Sequence, residues 1–195
     1  METAEIIIAL RPVVESFNEL GIAYCIGGSL ASSIYGIPRS TLDADLIAAV
    51  RKEHVSPLIE RLSDAYFIDR DQIVGAIEKS ASFNLIHLTT MNKIDVFVLK
   101  QTAYDLQAFS RIRKDTFPGD LPAVQYNFAS AEDIVINKMQ WYRKGGMVSE
   151  RQWRDILGVL KVQGDGLDLA YVDLWVGELQ LSKLWSRAKK EAGLS

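Results

Sequence analysis

Residues 26–46 gather the side chains most able to do chemistry. Gly27-Gly28-Ser29 ends an apolar run from Ile22 to Ile26 and precedes a short helical pattern. Two adjacent glycines let the backbone turn sharply and approach a ligand closely. The first N–H groups of the helix that follows lack intrahelical acceptors and suit an anion such as phosphate. Ser29 adds a hydroxyl. Further on, Asp43-Ala44-Asp45 leads into Leu46-Ile47-Ala48-Ala49-Val50. Residues two apart on a strand share a face, so Asp43 and Asp45 project together. Neighbouring carboxylates repel unless a cation lies between them, and oxygen donors of this kind suit Mg²⁺ with substrate phosphates. A third carboxylate, Asp95, is embedded in the β-branched run Asn92 to Leu99. A charge inside such a strand is costly unless it is paired or metal-bound. Each feature alone has an ordinary reading: a tight turn, a solvated strand start, an edge-strand aspartate. Their order and spacing together carry the case for a phosphate turn and a metal-holding strand.

The combination of Gly28-Ser29, Asp43-x-Asp45 and a later strand Asp95 resembles the nucleotidyltransferase superfamily, whose core is similar to the polymerase β palm. The approach Arg39-Ser40-Thr41-x-Asp43-x-Asp45 is most similar to the abortive-infection toxins of type IV toxin–antitoxin systems. The motif region covers roughly residues 20–100. The resemblance implies transfer of a nucleoside monophosphate from a nucleoside triphosphate to a hydroxyl acceptor, with pyrophosphate released. It implies two Mg²⁺ ions, with Mn²⁺ as a substitute, roughly 3.5–4 Å apart and stabilising the attacking and leaving oxygens. Asp43, Asp45 and Asp95 would hold the metals, Asp95 doubling as general base. Gly27, Gly28, Ser29 and Arg39 would hold the phosphates. For Arg39 a simple pairing with a nearby carboxylate is an equal alternative. In the resembled toxins a lysine of the first C-terminal helix contacts the phosphates, and Lys138 is its counterpart here. The alternative is that Lys138, set among Ile134, Val135, Trp141 and Tyr142, merely extends its ammonium to water. Asp155 corresponds to a further acidic residue of that group. Its helical angle points away from Trp153, which favours a surface ion pair with Arg151 or Arg154.

The elements that must position these groups follow from periodicity. Apolar residues at helical spacing mark a helix over 4–20, with Pro12 as a kink or boundary. Strands are expected at 22–27, 43–50, 66–68, 83–88, 93–99 and 124–128, with 83–88 and 93–99 forming a hairpin. Helices are expected at 28–35, 54–65 and 71–79. Residues 111–120, with Arg111, Arg113, Lys114 and Pro118-Gly119, read as a basic loop. It either contacts triphosphate or acceptor or is a solvated charge run. From Ser130 the texture becomes helical, with breaks at Gly145-Gly146 and Gly164-Asp165-Gly166 and caps at Ser130 and Ser149. The expected fold is α/β (α+β): a nucleotidyltransferase-like mixed sheet flanked by helices, with a C-terminal helical extension. The expected division is a catalytic domain over 1–128 and a helical subdomain over 129–195.

Composition narrows the partners. With 195 residues and 48% apolar content the chain can bury a substantial core. A net charge of −3 does not advertise a broad nucleic-acid surface, so a polynucleotide partner requires a local basic patch. The acceptor therefore stays open among RNA (tRNA, as for the resembled toxins), protein and a small molecule. Trp141, Tyr142, Trp153 and Trp175 could stack on bases, but a helical core explains them better. One cysteine, Cys25, in an apolar strand and only two histidines argue against a disulfide or a structural zinc site. No apolar run reaches a membrane span, and the expected location is the cytoplasm. Two non-catalytic readings remain beside the enzyme. One is a catalytically silent nucleotide- or partner-binding module of a toxin–antitoxin pair, and the other is an antitoxin-like partner sharing the fold.

Overall fold

The structure is a computed structural model that describes residues 2–118 and 124–194. In chain order the helices are α1 (Glu2–Glu19), α2 (Gly28–Tyr35), α3 (Val55–Leu62), α4 (Arg70–Lys79), α5 (Ala103–Ser110), α6 (Ala131–Lys144), α7 (Glu150–Gln163), α8 (Leu169–Glu178) and α9 (Ser182–Ala192). The strands are β1 (Tyr24–Ile26), β2 (Asp43–Ala48), β3 (Tyr66–Phe67), β4 (Ser82–His87), β5 (Lys93–Val98), β6 (Arg113–Asp115) and β7 (Tyr126–Phe128). The chain divides into two compact units. One takes the residues through Gly27 and Ser40–Phe128, and the other takes Gly28–Arg39 and the residues from Ala129 onward.

The first unit holds the whole sheet, ordered β3-β4-β5-β2-β1-β7-β6. It is mixed: β2 runs parallel to β5, and β1 runs parallel to β7 but antiparallel to β2. The alternation of β2 and β5 explains their place at its centre. Ala44, Leu46, Ala48, Ile94 and Val96 are fully buried on one face. The residues between them stay partly open on the other. α1 packs on β2 and β5, burying Ile6, Leu10, Val13 and Phe17. Pro12 lies inside this helix rather than at its boundary, where it removes one backbone donor. The buried stripe on both sides of it holds the helix together. At the sheet edge, the buried Tyr66 hydroxyl donates to the Ala9 carbonyl at 2.6 Å and ties β3 to α1.

Two local expectations fail in this unit. Residues 103–110 form α5, which the sequence pattern does not mark. Thr102 caps it, its hydroxyl accepting from the Asp105 N–H. The basic segment expected as a loop contains the strand β6, paired antiparallel with β7 from Arg113↔Phe128 to Asp115↔Tyr126. All three of its side chains are exposed, so pairing there rests on backbone hydrogen bonds, and charge on an edge strand is a usual guard against aggregation. Pro118 is described, but Gly119 of the expected turn lies outside the described residues.

The second unit is helical. Ser130 and Ser149 cap α6 and α7 as expected, accepting from the N–H groups of Asp133 and Gln152. α6 packs on α7, α2 packs on both, α8 on α6, and α9 on α7. Ile134, Val135, Met139, Ile156, Val159, Leu160 and Val172 fill its interior. Tyr142 and Trp153 are also buried, with ring centroids 5.1 Å apart. Trp141 departs from the expected core and is 52% exposed.

Candidate functional site

The carboxylates expected to hold metal belong to β2 and β5 of the first unit. The parallel register sets Asp45 beside Asp95 and Asp43 beside Lys93. Adjacent strands lie about 4.8 Å apart, and residues two apart along one strand about 6.6 Å. Asp43, Asp45, Lys93 and Asp95 thus share the less buried face. Thr41, itself buried, donates to Asp43 Oδ1 at 2.6 Å and orients that carboxylate. Gly27 belongs to the same neighbourhood: its N–H donates to the Asp45 carbonyl at 2.9 Å. A Cβ at Gly27 would come within 3.0 Å of Ile47 Cδ1.

Lys93 is the residue the sequence reading passed over. Its Nζ lies 2.7 Å from Asp95 Oδ2. The hydrogen bond to Asp95 raises the pKa of Lys93. Partial burial opposes this, and the charges of Asp95, Asp43 and Asp45 reinforce it. The signal was available in the sequence, since Lys93 precedes Asp95 by two residues on a strand and must share its face. Among the described residues, no group of three or more His, Cys, Asp and Glu side chains is drawn together as a metal site. The oxygen-only donor set fits a hard divalent cation by type and by register. In this structure the third carboxylate is bonded to an ammonium instead.

The other residues expected to hold phosphate, Gly28, Ser29, Arg39 and Lys138, belong to the second unit. Gly28 opens α2 with φ +55°, a backbone region that favours glycine. Ser29 follows in the first turn, and its Oγ accepts from the Arg39 guanidinium. Arg39 also donates to Asp155 through Nε and Nη2, at 2.9 and 3.0 Å. Such a two-pronged arginine–carboxylate bond fixes orientation as well as charge. On the other side, Lys138 Nζ lies 2.7 Å from Asp155 Oδ2 and 3.3 Å from Gln152 Oε1. Lys138 is 4% exposed and Asp155 8%. Burial pushes the Asp155 carboxyl up. The hydrogen bond from Arg39, the charge and hydrogen bond of Lys138 and the charge of Arg39 outweigh it and hold the group below the usual aspartate range.

This geometry corrects the surface reading of Asp155. Its partners are Arg39 and Lys138, not Arg151 or Arg154; Arg154 instead meets the exposed Glu150 at 3.6 Å. The helical angle misled because α7 is buried on more than one side. Trp153 faces Tyr142 and sends its Nε1–H to Glu191. Asp155, Gly158 and Val159 lie on the side that meets α2 and the loop after it. Lys138 does not extend to water, as the snorkelling alternative required. Arg39 does pair with a carboxylate, and it also reaches Ser29.

Beside this cluster the second unit has a cavity of about 360 Å³. Arg39, Arg151, Arg154 and Lys161 contribute four cations to its wall, against the carboxylate of Asp155. Ile37, Pro38 and Leu157 give it apolar wall. Arg151, Arg154 and Lys161 recur at intervals of three and seven on α7 and so share one face of it.

No protein-family model matches the chain, and no curated protein matches it. Solved structures do. An antigenic nucleotidyltransferase-like protein from Paracoccidioides brasiliensis superposes with a TM-score of 0.58 at 17% identity, over 97% of this chain and 94% of that one. The antibiotic-resistance factor ANT(2'')-Ia gives 0.55 at 13% identity, over 98% and 99% of the two chains. The lincosamide antibiotic adenylyltransferase LnuA gives 0.53 at 13% identity, over 82% and 96%. Identities this low speak for architecture, and on that ground the chain has the fold of the nucleotidyltransferases.

Proposed function

We propose that the protein is a divalent-metal-dependent nucleotidyltransferase that moves a nucleoside monophosphate from a nucleoside triphosphate to a hydroxyl of a phosphate-bearing acceptor. The observation that carries this reading is the parallel register that sets Asp45 beside Asp95, with Asp43 two residues away on the same face. Asp43 and Asp45 are the ligands for Mg²⁺ or Mn²⁺, joined by Asp95. When bound, the metal supplies charge neutralisation on the triphosphate and activation of the acceptor hydroxyl. Asp95 accepts the proton of that hydroxyl as its oxygen attacks the α-phosphorus, the bond from that phosphorus to the bridging oxygen breaks and pyrophosphate leaves. Gly28 and Ser29 present the first turn of α2 to the triphosphate. Asp155 joins the two cations Arg39 and Lys138. Arg39 also reaches Ser29 Oγ, so its positive charge stands beside the first turn of α2 and favours an anion there. Asp155 is a positioning residue here: it holds Arg39 in a fixed direction.

The acceptor is read from the cavity on α7. Four cations on its wall favour phosphate and disfavour a polycation, so an RNA end, such as that of a tRNA, is the acceptor we favour over a polycationic small molecule. A toxin role with a cognate antitoxin is supported by the Arg39–Asp45 motif resemblance, and induced expression arresting growth would be its sign. The silent-module reading has one observation in its favour, the bond between Lys93 and Asp95.

Label transfer separates these readings. The protein is incubated with Mg²⁺, each α-labelled nucleoside triphosphate, total RNA and soluble protein, with Asp45→Asn alongside. Label on RNA that disappears with Asp45→Asn is the expected result. Undiminished transfer by the folded Asp45→Asn protein would remove the metal assignment. Nucleotide binding without transfer to any acceptor would favour the silent module.

A further inference from the structure

The face that carries Asp43, Asp45 and Asp95 also carries a cation of the protein's own. Lys93 is the register partner of Asp43 and lies two residues before Asp95 on β5. Its Nζ is 2.7 Å from Asp95 Oδ2, with 45% of the Lys93 side chain and 20% of the Asp95 side chain exposed. The bond therefore joins the third carboxylate to a group that sits on a long, partly solvated stem. Such a stem releases its partner to water at little cost, because an ion pair open to solvent on one side contributes little net stability. A structural pair meant to hold the strands together would be more buried. β5 does not need it, since its backbone is paired on both sides, with β2 and with β4.

We infer that Lys93 is a resident counter-ion of the metal face: it occupies Asp95 when no divalent ion is bound, and a divalent ion that takes Asp95 must displace it. The inference rests on the metal reading of the three aspartates proposed above. Two consequences follow from the geometry. Repulsion among Asp43, Asp45 and Asp95 is relieved in the metal-free protein, which keeps the face intact without a bound ion. Metal binding through Asp95 is weakened by competition, so occupancy at that carboxylate responds to metal concentration more than it would on a face without the lysine. Lys93 acts through Asp95 rather than on the reacting atoms, which makes it a regulating residue of metal affinity.

The test is Mn²⁺ binding to the full chain without nucleotide, read by the loss of the free-ion electron paramagnetic signal. It compares the wild type with Lys93→Met, Lys93→Arg, Asp95→Asn and the Lys93→Met/Asp95→Asn double variant. Lys93→Met should bind Mn²⁺ about five-fold more tightly, the ratio that corresponds to the upper range of an exposed ion pair. Lys93→Arg, which keeps a cation, should stay near wild type. The gain should largely vanish when Asp95 is already Asn, because competition acts through that carboxylate. Unchanged or weaker Mn²⁺ binding by Lys93→Met would overturn the inference. So would a gain of equal size in the Asp95→Asn background, which would show only a general charge effect. Absence of Mn²⁺ binding in every variant would overturn the metal reading itself, and the inference with it. Should Lys93→Met not fold, Lys93→Gln replaces it. Wild-type protein with reductively ¹³C-methylated lysines then offers a second readout. Its Lys93 resonance, assigned by its absence from the Lys93→Arg spectrum, must shift as Mg²⁺ is added, and a resonance unmoved at saturating Mg²⁺ overturns the displacement.

Discussion

Asp155 holds two cations, the buried Lys138 and Arg39, whose side chain is 26% exposed. Replacing it with Asn would break the buried Lys138–Asp155 pair, and breaking a buried pair from one side costs about 3–5 kcal/mol. Asp155→Asn should therefore lower stability markedly and, by releasing Arg39, weaken nucleotide binding. The pH dependence carries the same signature with a definite sign. The folded carboxyl is held below its ordinary value, with burial opposed and outweighed by Arg39 and Lys138. Its contribution is fully present above the unfolded value of about 4 and is lost as pH falls through the lower folded value. Thermal melts from pH 7 to pH 2 should show the difference between wild type and Asp155→Asn shrinking below about pH 4. A constant difference across that range would mean that the carboxylate is not what stabilises the pair. At this scale the site was only partly legible in the sequence. The shared face of Asp43 and Asp45 was readable because a strand's period of two fixes which side chains lie together; Asp95 stood out as a charge within a β-branched run, but its place beside Asp45 comes from the β2–β5 register. Asp155 was not readable, because one apolar stripe on α7 says nothing of a second buried side, and Lys93 was missed although the same period of two implied it.

The contact between α2 and α7 is set by glycines rather than by large side chains. A Cβ at Gly36 would lie 2.8 Å from the Ser32 carbonyl oxygen, 2.8 Å from the Val159 nitrogen and 2.9 Å from the Gly158 carbonyl carbon. All three are backbone atoms and cannot rotate away. At Gly158 the nearest atom is the Ile37 nitrogen at 3.3 Å, a milder approach. Gly36→Ala should therefore destabilise by about 1–3 kcal/mol, as overpacking does, and Gly158→Ala by less. The shift of the loop before Arg39 should also reduce nucleotide affinity in Gly36→Ala. Urea denaturation and nucleotide titration check the two effects, and a Gly36→Ala protein as stable as wild type would refute the close approach. Gly36 was visible in the sequence as a helix stop, but its packing role was not, since it depends on a segment more than a hundred residues away. The long amphipathic helices and the β4–β5 hairpin were legible because each encodes its own period. α5 and β6 were not, being short elements whose limits come from a cap at Thr102 and from pairing with β7.

Over the whole chain, 25 acidic residues outweigh 22 basic ones, which by itself argues against polynucleotide binding. The argument changes when charge is located rather than summed. Arg151, Arg154 and Lys161 share one face of α7 and, with Arg39, line one cavity of the helical unit. The nearby Glu150 meets Arg154 at 3.6 Å with both side chains almost fully exposed, and such a pair offsets little of that charge. A local patch on an acidic protein gives a specific salt signature. Each phosphate neutralised on a single strand contributes about −0.7 to the slope of log affinity against log salt. Binding of a short single-stranded oligoribonucleotide, followed by fluorescence anisotropy, should have a slope of only a few units. Arg151→Ala/Lys161→Ala should weaken it and make the slope shallower by about 1.4, while triphosphate affinity, which the proposed function assigns to Ser29, Arg39 and Lys138, should stay near wild type. Lys52→Ala, an exposed substitution in the sheet unit at a residue bonded to Glu78, controls for net charge. If Lys52→Ala flattens the slope as much per charge as the α7 variant does, binding follows the overall field and the cavity is not the acceptor's phosphate site. If only the α7 variant changes it, the acceptor carries phosphate and docks on the basic face of α7.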